Sequence, residues 1–147
     1  MSATNAFETS LLGLIFTNVA AANVGDAGGL LPSATAGVFW VSLHTGAGPG
    51  EAGGQDTNEA AYDTYGRVSV ARSAAEWTIT NEVADNDNEI GFAQAGDGPE
   101  TEAHFGLGSA ETTAGNLFIY GALTASLVVN AGITPRFDPG ALDVTLD

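Results

Sequence analysis

The first apolar pattern along the chain has the period of an α-helix. Apolar side chains recur at helical spacing near the N-terminus, at Phe7, Leu11, Leu12, Leu14, Ile15 and Val19. Asn5 is placed to cap this helix, and Glu8 follows three residues later, as in a capping box. A glycine-rich run follows Val24, so we expect the helix to end between Ala21 and Val24, within an N-terminal segment 1–25.

Beyond residue 36 the apolar period changes to two, which is typical of β-strands. Val38–Thr45 is rich in β-formers, with Phe39, Val41 and Leu43 on one face. Further strands are predicted at Arg67–Arg72, Glu76–Thr80, Glu89–Ala93, His104–Leu107, Asn116–Leu123, Ser126–Asn130 and Leu142–Leu146.

These strands define the predicted fold class. Turns rich in Gly, Asn, Asp and Ser separate about eight short strands, and no second helix of comparable strength appears. The pattern predicts a mainly β protein: an antiparallel β-sandwich or barrel with one N-terminal α-helix. We expect a single domain over 1–147, with the β part covering 36–147 and no linker or internal repeat.

One stretch within the β region has no periodicity. Residues 46–59 are dominated by glycine and polar residues and are too long for a turn between paired strands. Loops of this length in a compact domain are usually functional or are ordered by a partner. We therefore treat the loop 46–65 as a candidate functional segment.

The charge balance excludes several classes of partner. The 147 residues carry a net charge of -15, with no cysteine and no lysine, and the basic residues are Arg67, Arg72 and Arg136. Disulfide scaffolds and cysteine-ligated zinc are excluded. Nucleic acid and anionic membranes are unfavourable partners because both require clustered basic residues. The N-terminus lacks the basic region of a signal peptide, and the apolar run 11–19 is too short to span a bilayer.

Two motifs resemble ligand-binding loops but lack part of the required pattern. Gly48–Gly53 fits G-x-G-x-x-G, yet a loop containing acidic residues follows it where a dinucleotide site needs a helix. Asp85–Glu89 has the oxygen-rich composition of a calcium loop, but Ile90 and Gly96 occupy the positions where an EF-hand needs glycine and glutamate. We interpret Asp85–Glu89 as a solvated turn, with a weak structural cation site as the alternative.

No catalytic constellation is visible in the sequence. His44 and His104 each lie beside a β-like run, and we interpret them as strand-end histidines bonded to the backbone. There is no G-x-S-x-G elbow, and no acid pair is marked out for general acid and base. We therefore predict no enzyme activity, no catalytic residue, no metal ligand and no cofactor.

Aromatic and arginine side chains near the long loop are candidates for an interface. Such residues dominate protein interfaces, and here they concentrate around Tyr62, Tyr65, Arg67 and Arg72. The arginines fit either an intrachain ion pair or a pair with an acidic neighbouring subunit. The apolar helical stripe fits either core packing or docking to a partner. The predicted interface residues are Phe7, Leu11, Trp40, Glu51, Asn58, Glu59, Tyr62, Tyr65, Arg67 and Arg72.

Several runs of residues together resemble a known family. These are Ser42-Leu43-His44-Thr45, Pro49–Gly53, Asn58-Glu59-Ala60-Ala61-Tyr62, Arg67–Arg72, His104-Phe105-Gly106, and the ending Gly132–Pro135 with Gly140–Leu142. The chain resembles small virion proteins of tailed bacteriophages, described as tail-fibre proteins or as capsid cement (decoration) proteins. Gly46-Ala47-Gly48 is looser than the tight turn expected there in the family.

The resemblance implies a non-enzymatic structural protein that assembles symmetrically as a homotrimer. Small size and strong negative charge favour a cement protein that stabilises the outer surface of an icosahedral head. Its partners would be the major capsid protein and copies of itself, and its location the virion. The alternative is a tail or tail-fibre component that contacts the host surface through Trp40, Tyr62, Tyr65 and Trp77, although Trp77 fits a core position better.

Overall fold

The computed structural model describes residues 2–146, which form two compact units. The first unit contains residues 2–37, 71–90 and 137–146, and the second contains residues 38–70 and 91–136. Neither unit is a continuous stretch, because the chain enters the first unit three times and the second twice. The single domain predicted over 1–147 stays a prediction.

The secondary structure is mainly β with one N-terminal helix, which confirms the predicted fold class. The helix α1 spans Asn5–Thr17, and nine strands lie among residues 2–146. They are β1 (Val38–Thr45), β2 (Val68–Ala71), β3 (Trp77–Thr80), β4 (Val83–Asn86), β5 (Ile90–Gly91), β6 (Glu100–Gly108), β7 (Leu117–Val129), β8 (Arg136–Phe137) and β9 (Asp143–Thr145). The ladders β1–β6, β6–β7, β3–β4 and β4–β9 are antiparallel, and no barrel closes among the described residues.

Helix α1 supplies apolar side chains to the core of the first unit. Leu12 and Phe16 lie on its buried side and are fully enclosed. The ring of Phe16 packs edge-on against Trp77, with 4.7 Å between the ring centroids. The predicted N-cap at Asn5 is wrong by one residue: Thr4 is the N-cap, and its side chain makes no capping hydrogen bond.

The helix ends at Thr17, four to seven residues earlier than the sequence predicts. Asn18 adopts the left-handed conformation, with φ of 56°, and its N–H donates to the carbonyl of Gly13. Its side chain is fixed by Ser33, since Nδ2 donates to the Ser33 carbonyl and Oδ1 accepts from the Ser33 N–H, both at 2.9 Å. Asparagine tolerates this conformation and so stops the helix before the glycines do. Within residues 2–146, no helix has the length and apolar character needed to cross a bilayer.

The sheet of the first unit has the order β3-β4-β9, which places β4 at its centre. The prediction of a solvated turn over Asp85–Glu89 is wrong for Asp85 and Asn86, which belong to β4. The Asn86 side chain is 1% exposed and uses its full hydrogen-bonding capacity. It donates to the carbonyls of Asn88 and Asp138 and accepts from the N–H groups of Ala141 and Leu142.

The main sheet of the second unit has the order β2-β1-β6-β7. The predicted apolar face of β1 is confirmed: Val41 and Leu43 are buried opposite Leu107 and Phe105 on β6. Ser42 and His44, on the other face of β1, are buried as well, although both are polar. A period-two pattern identifies only one buried face, so it does not predict that the polar face is covered.

Strand β7 is a single strand of 13 residues where the sequence predicts two strands. The ladder pairs Glu102 with Leu127 and then His104 with Ala122, so residues 123–126 bulge opposite one residue of β6. The bulge carries the chain through the Thr-Ala-Ser run, where the sequence predicts a turn. Strands β4 and β8 are absent from the prediction, and β6 begins four residues earlier than expected.

Candidate functional site

The candidate functional segment, residues 46–65, is an ordered cover on the second unit. We call it the cover segment. The Gln55 side chain donates to the Trp40 carbonyl at 2.6 Å, and the N–H of Thr45 donates to the Asn58 carbonyl at 2.7 Å. A further bridge pairs Glu59 with His44 on β1. The long aperiodic loop therefore has fixed hydrogen-bond partners on the sheet.

Glycines make room for the cover segment. A Cβ at Gly108 would lie 2.1 Å from Oε1 of Gln55, and one at Gly48 would lie 2.7 Å from the ring of His104. Gly48 also has a φ of +70°, which side-chain-bearing residues rarely adopt. These positions explain why glycines occur both in β6 and in the segment above it.

One ion pair anchors the end of the cover segment. Nε and Nη2 of Arg67 donate to the two carboxylate oxygens of Glu59 at 2.6 and 2.7 Å. This hydrogen bond is the main cause of the raised pKa of Arg67. The Tyr65 hydroxyl donates to Oε1 of Glu59 at 2.9 Å, and burial raises the pKa of Tyr65. Of the two alternatives considered for Arg67, an intrachain ion pair and a pair with a neighbouring subunit, the structure shows the intrachain pair.

A serine and a histidine on β1 have the geometry of a nucleophile and its base. The Ser42 Oγ lies 2.8 Å from Nε2 of His44, and Nδ1 of His44 lies 3.0 Å from the carbonyl of Thr57. The carbonyl can only accept, so Nδ1 carries the proton and Nε2 accepts from the serine hydroxyl. Both side chains are 0% exposed, and burial lowers the pKa of His44. The pair is therefore a hydrogen-bond link enclosed within the second unit.

The two histidines differ in their bonding. His44 bonds to a backbone carbonyl, as predicted, whereas the buried Nδ1 of His104 has no hydrogen-bond partner among residues 2–146. The alternation Ser42-x-His44 places both side chains on one strand face, which is the sequence signal for this pair. That signal could not reveal Thr57, which lies 13 residues further along the chain.

A second polar cluster lies where β6 passes the cover segment. The Glu100 carboxylate accepts from the N–H groups of Ala61 and Tyr62. Glu102 is 0% exposed, and both of its carboxyl oxygens lack a hydrogen-bond partner within the described residues. The sequence pattern marks neither glutamate, because an acid that points inward from a strand has no distinctive sequence context.

The acidic run Asp85–Glu89 borders an open groove of the first unit, of about 430 Å³. The groove is lined by Thr78, Asp85, Asn86, Asp87, Pro139, Gly140 and Asp143. Asp85 lies opposite Asp143 in the β4–β9 ladder, and its pKa is raised by burial first and then by Asp143. Within residues 2–146, no three acidic or histidine side chains converge in a way that could hold a metal ion.

The ten predicted interface residues lie in three kinds of environment. Those with exposed side chains are Phe7, Glu51 and Asn58. Half-buried as whole residues are Leu11, Trp40, Glu59, Tyr65, Arg67 and Arg72, and Tyr62 is buried. Arg72 donates to the carbonyls of Leu14, Ile15 and Ala36. The role of the ten residues in an interface stays a prediction, and Trp77, at 1% exposed, is a core residue as expected.

The most exposed aromatic side chains of the second unit lie on β7. Phe118 is 56% exposed and Tyr120 is 37% exposed. The aliphatic side chain of Val128, further along the same strand, is 50% exposed. Strand β7 is the last strand of its sheet, and none of residues 117–129 is charged. An uncharged edge strand presents free backbone groups to another strand. The sequence pattern does not reveal this surface, because an alternating strand is expected to bury one face.

Comparison with known proteins identifies one family. The model of the family described as Podophage GP4 fiber I protein gp80 matches residues 2–145 of the chain. The matched range covers nearly all of both compact units. No curated protein matches the chain.

Proposed function

Because the chain belongs to the podophage GP4 fiber I protein gp80 family, we propose that it is a structural subunit of a phage tail fibre. The match over residues 2–145 is the observation that carries this proposal. The family description supports the tail-fibre alternative better than the capsid cement role that the sequence favours. The proposed location is therefore the tail of the virion.

A structural role also fits the buried chemistry of the second unit. The Ser42–His44 pair is the arrangement closest to a hydrolytic site, and the cover segment seals it from solvent. Protein contacts, and not turnover of a substrate, are the proposed activity of this subunit.

The surface best suited to assembly is the free edge of β7. A chain with a net charge of -15 repels its own copies over most of its surface, whereas residues 117–129 carry no charge. Strand addition at this edge would pair backbone groups and cover Phe118 and Tyr120. We propose that a second copy of the chain binds this edge, and that the assembled oligomer is a homotrimer.

The test is the position and copy number of the protein in intact virions. Cryo-electron microscopy with antibody-fragment labelling, combined with quantitative mass spectrometry, measures both. A small number of copies at the tail is the expected result. Hundreds of copies spread over the head would overturn the fibre proposal and support the cement role.

Contact with the host surface is a separate part of the proposal. The aromatic platform considered from the sequence is not available, because Tyr62 and Trp77 are 4% and 1% exposed. If the β7 aromatics contact the host instead of a second copy of the chain, the purified protein should bind saturably to host cells. Binding that Tyr120→Asp leaves unchanged would exclude β7 as the contact surface.

A further inference from the structure

Glu102 is buried without a partner for its charge. Its side chain is 0% exposed, neither carboxyl oxygen has a well-formed hydrogen bond among the described residues, and the carboxyl beside it is that of Glu100. The cross-strand neighbours are Thr45 on β1 and Leu127 on β7, and neither can carry charge. An ionised carboxylate in such a place is strongly disfavoured, so the closed structure requires a neutral Glu102.

The titratable groups that act on Glu102 offer no positive charge. They are Glu100 on the same strand and Tyr62 of the cover segment. His104 lies two residues along β6 beyond a bulge, with its ring against Gly48. Ionisation of Glu102 therefore places a second negative charge beside Glu100 and leaves it uncompensated.

Glu100 is the residue that ties the cover segment to this place. Its carboxylate accepts from the Ala61 N–H at 3.0 and 3.1 Å and from the Tyr62 N–H at 2.8 Å. The Tyr62 hydroxyl also donates to the Ala93 carbonyl at 3.2 Å. Hydrogen bonds from residues 63 and 64 to residues 97 and 94 join the same two stretches of chain. Movement of Glu100 into solvent would release the two amides at once.

We propose that Glu100 and Glu102 form a proton-dependent latch that holds residues 61 and 62 while Glu102 is protonated and releases them when it ionises. Ionised Glu102 needs water. Thr45 and Leu127 pair with Glu102 across the sheet, and Tyr62 of the cover segment interacts with its carboxyl, so the cover segment is the element that would move aside to admit water. The closed and open states differ by one proton on Glu102 and by the hydrogen bonds from the backbone N–H groups of Ala61 and Tyr62 to Glu100. This latch does not depend on the fibre role.

Two pKa shifts agree with this geometry. Burial first, and then the Glu100 carboxyl, raise the pKa of Glu102 to about 7. Burial, followed by Glu102 and Glu100, raises the pKa of Tyr62 to about 12. The latch is thus expected to respond near neutral pH, with the phenol of Tyr62 remaining protonated.

The experiment is amide hydrogen exchange of the full chain from pH 5.5 to 8.5, resolved to Ala61 and Tyr62 by NMR. Rates are corrected for the intrinsic pH dependence of exchange, in the regime where reclosing is faster than exchange. The opening constant of these two amides should rise about tenfold per pH unit from pH 5.5 to about 7 and level off above it, since opening releases one proton only between the ordinary pKa of 4.5 and the raised pKa of about 7. The amides of Val41 and Leu107, inside the β1–β6 ladder, serve as references that should not change.

Three variants separate the latch from general loosening. Glu102→Gln keeps the shape without the charge and should abolish the rise, whereas Glu100→Gln should weaken protection at every pH. Glu51→Gln, in an exposed part of the cover segment, should keep the wild-type profile. If Glu102→Gln does not fold, the wild-type profile decides alone.

Three results would overturn the proposal. The first is a flat wild-type profile from pH 5.5 to 8.5. The second is a rise that persists in Glu102→Gln. The third is a rise shared equally by Val41 and Leu107, which would mean global unfolding.

Discussion

Arg67 binds Glu59 through two parallel hydrogen bonds of 2.6 and 2.7 Å, and the same guanidinium also donates to the carbonyls of Ala110 and Thr113. The Arg67 side chain is 3% exposed. One side chain thus joins the end of the cover segment to the turn before β7. This pair links distant parts of the second unit because both ends of the guanidinium fork are used.

Arg67→Met is expected to lower the free energy of unfolding by about 3 kcal/mol, because it leaves Glu59 partly buried without its cation. Equilibrium denaturation measures this loss. The double variant with Glu59→Gln should recover part of it, which shows the coupling between the two residues. Glu51→Gln, the exposed control, should change stability by less than about 0.5 kcal/mol. Equal losses for Arg67→Met and the control would contradict the anchoring role.

Gly108→Ala is expected to displace Gln55 and destabilise the protein by about 1–3 kcal/mol, because a Cβ at this position would lie 2.1 Å from the Gln55 Oε1. The change should also raise amide exchange at Gln55, whose N–H bonds to the Ala114 carbonyl. Gly66→Ala is the matched control, since nothing lies within 4 Å of a Cβ there. Unaltered exchange at Gln55 in Gly108→Ala would show that the cover segment does not depend on this glycine.

His44 should remain neutral in the native protein at pH values where free histidine is half protonated. Burial is the largest cause that lowers the pKa of His44 below its ordinary value of 6.5. NMR of the imidazole nitrogens should show a titration midpoint below 6.5 and the proton on Nδ1. A midpoint at or above that ordinary value would contradict the buried Ser42–His44 link.

The same shift makes stability depend on pH. Below 6.5 the unfolded chain binds a proton at His44 that the native state does not bind, so the contribution of His44 is present above 6.5 and is lost as pH falls. Glu102 acts in the opposite direction: its contribution is full below its ordinary pKa of 4.5 and is lost as pH rises through about 7. The difference in unfolding free energy between wild type and His44→Gln isolates the histidine, and it should shrink between pH 7 and 5.

Tyr120→Asp should weaken self-association, because it places a charge on the uncharged edge strand of a chain that is already acidic. Native mass spectrometry and light scattering over a range of concentrations measure the oligomer. Leu31→Asp is the matched control, since Leu31 is 73% exposed but lies outside β7. Loss of the oligomer in both variants would point to net charge, and retention in both would remove β7 as the interface.

The sequence by itself determined the elements whose apolar period is complete. Val38–Thr45 has a strict alternation of β-formers, and its predicted bounds are the observed ones. The 3.6-residue period predicts helix α1, but its end at Thr17 depends on the bond of Asn18 to Ser33, 15 residues away. The charge of -15 and the resemblance over the run Asn58–Arg72 are also properties of the amino-acid sequence, and together they indicate a phage virion protein without any knowledge of the fold.

Only the tertiary structure decided how polar residues are used. Asn86 has the sequence context of a solvated turn. In the structure it is buried on β4, the central strand of its sheet, and its side chain forms four hydrogen bonds. Glu102 has the sequence context of any strand acid, and the fold buries it completely. The physical reason is that the period of apolar residues shows which apolar side chains face the core. The burial of a polar side chain depends instead on hydrogen-bond partners far along the chain, which the local sequence does not specify.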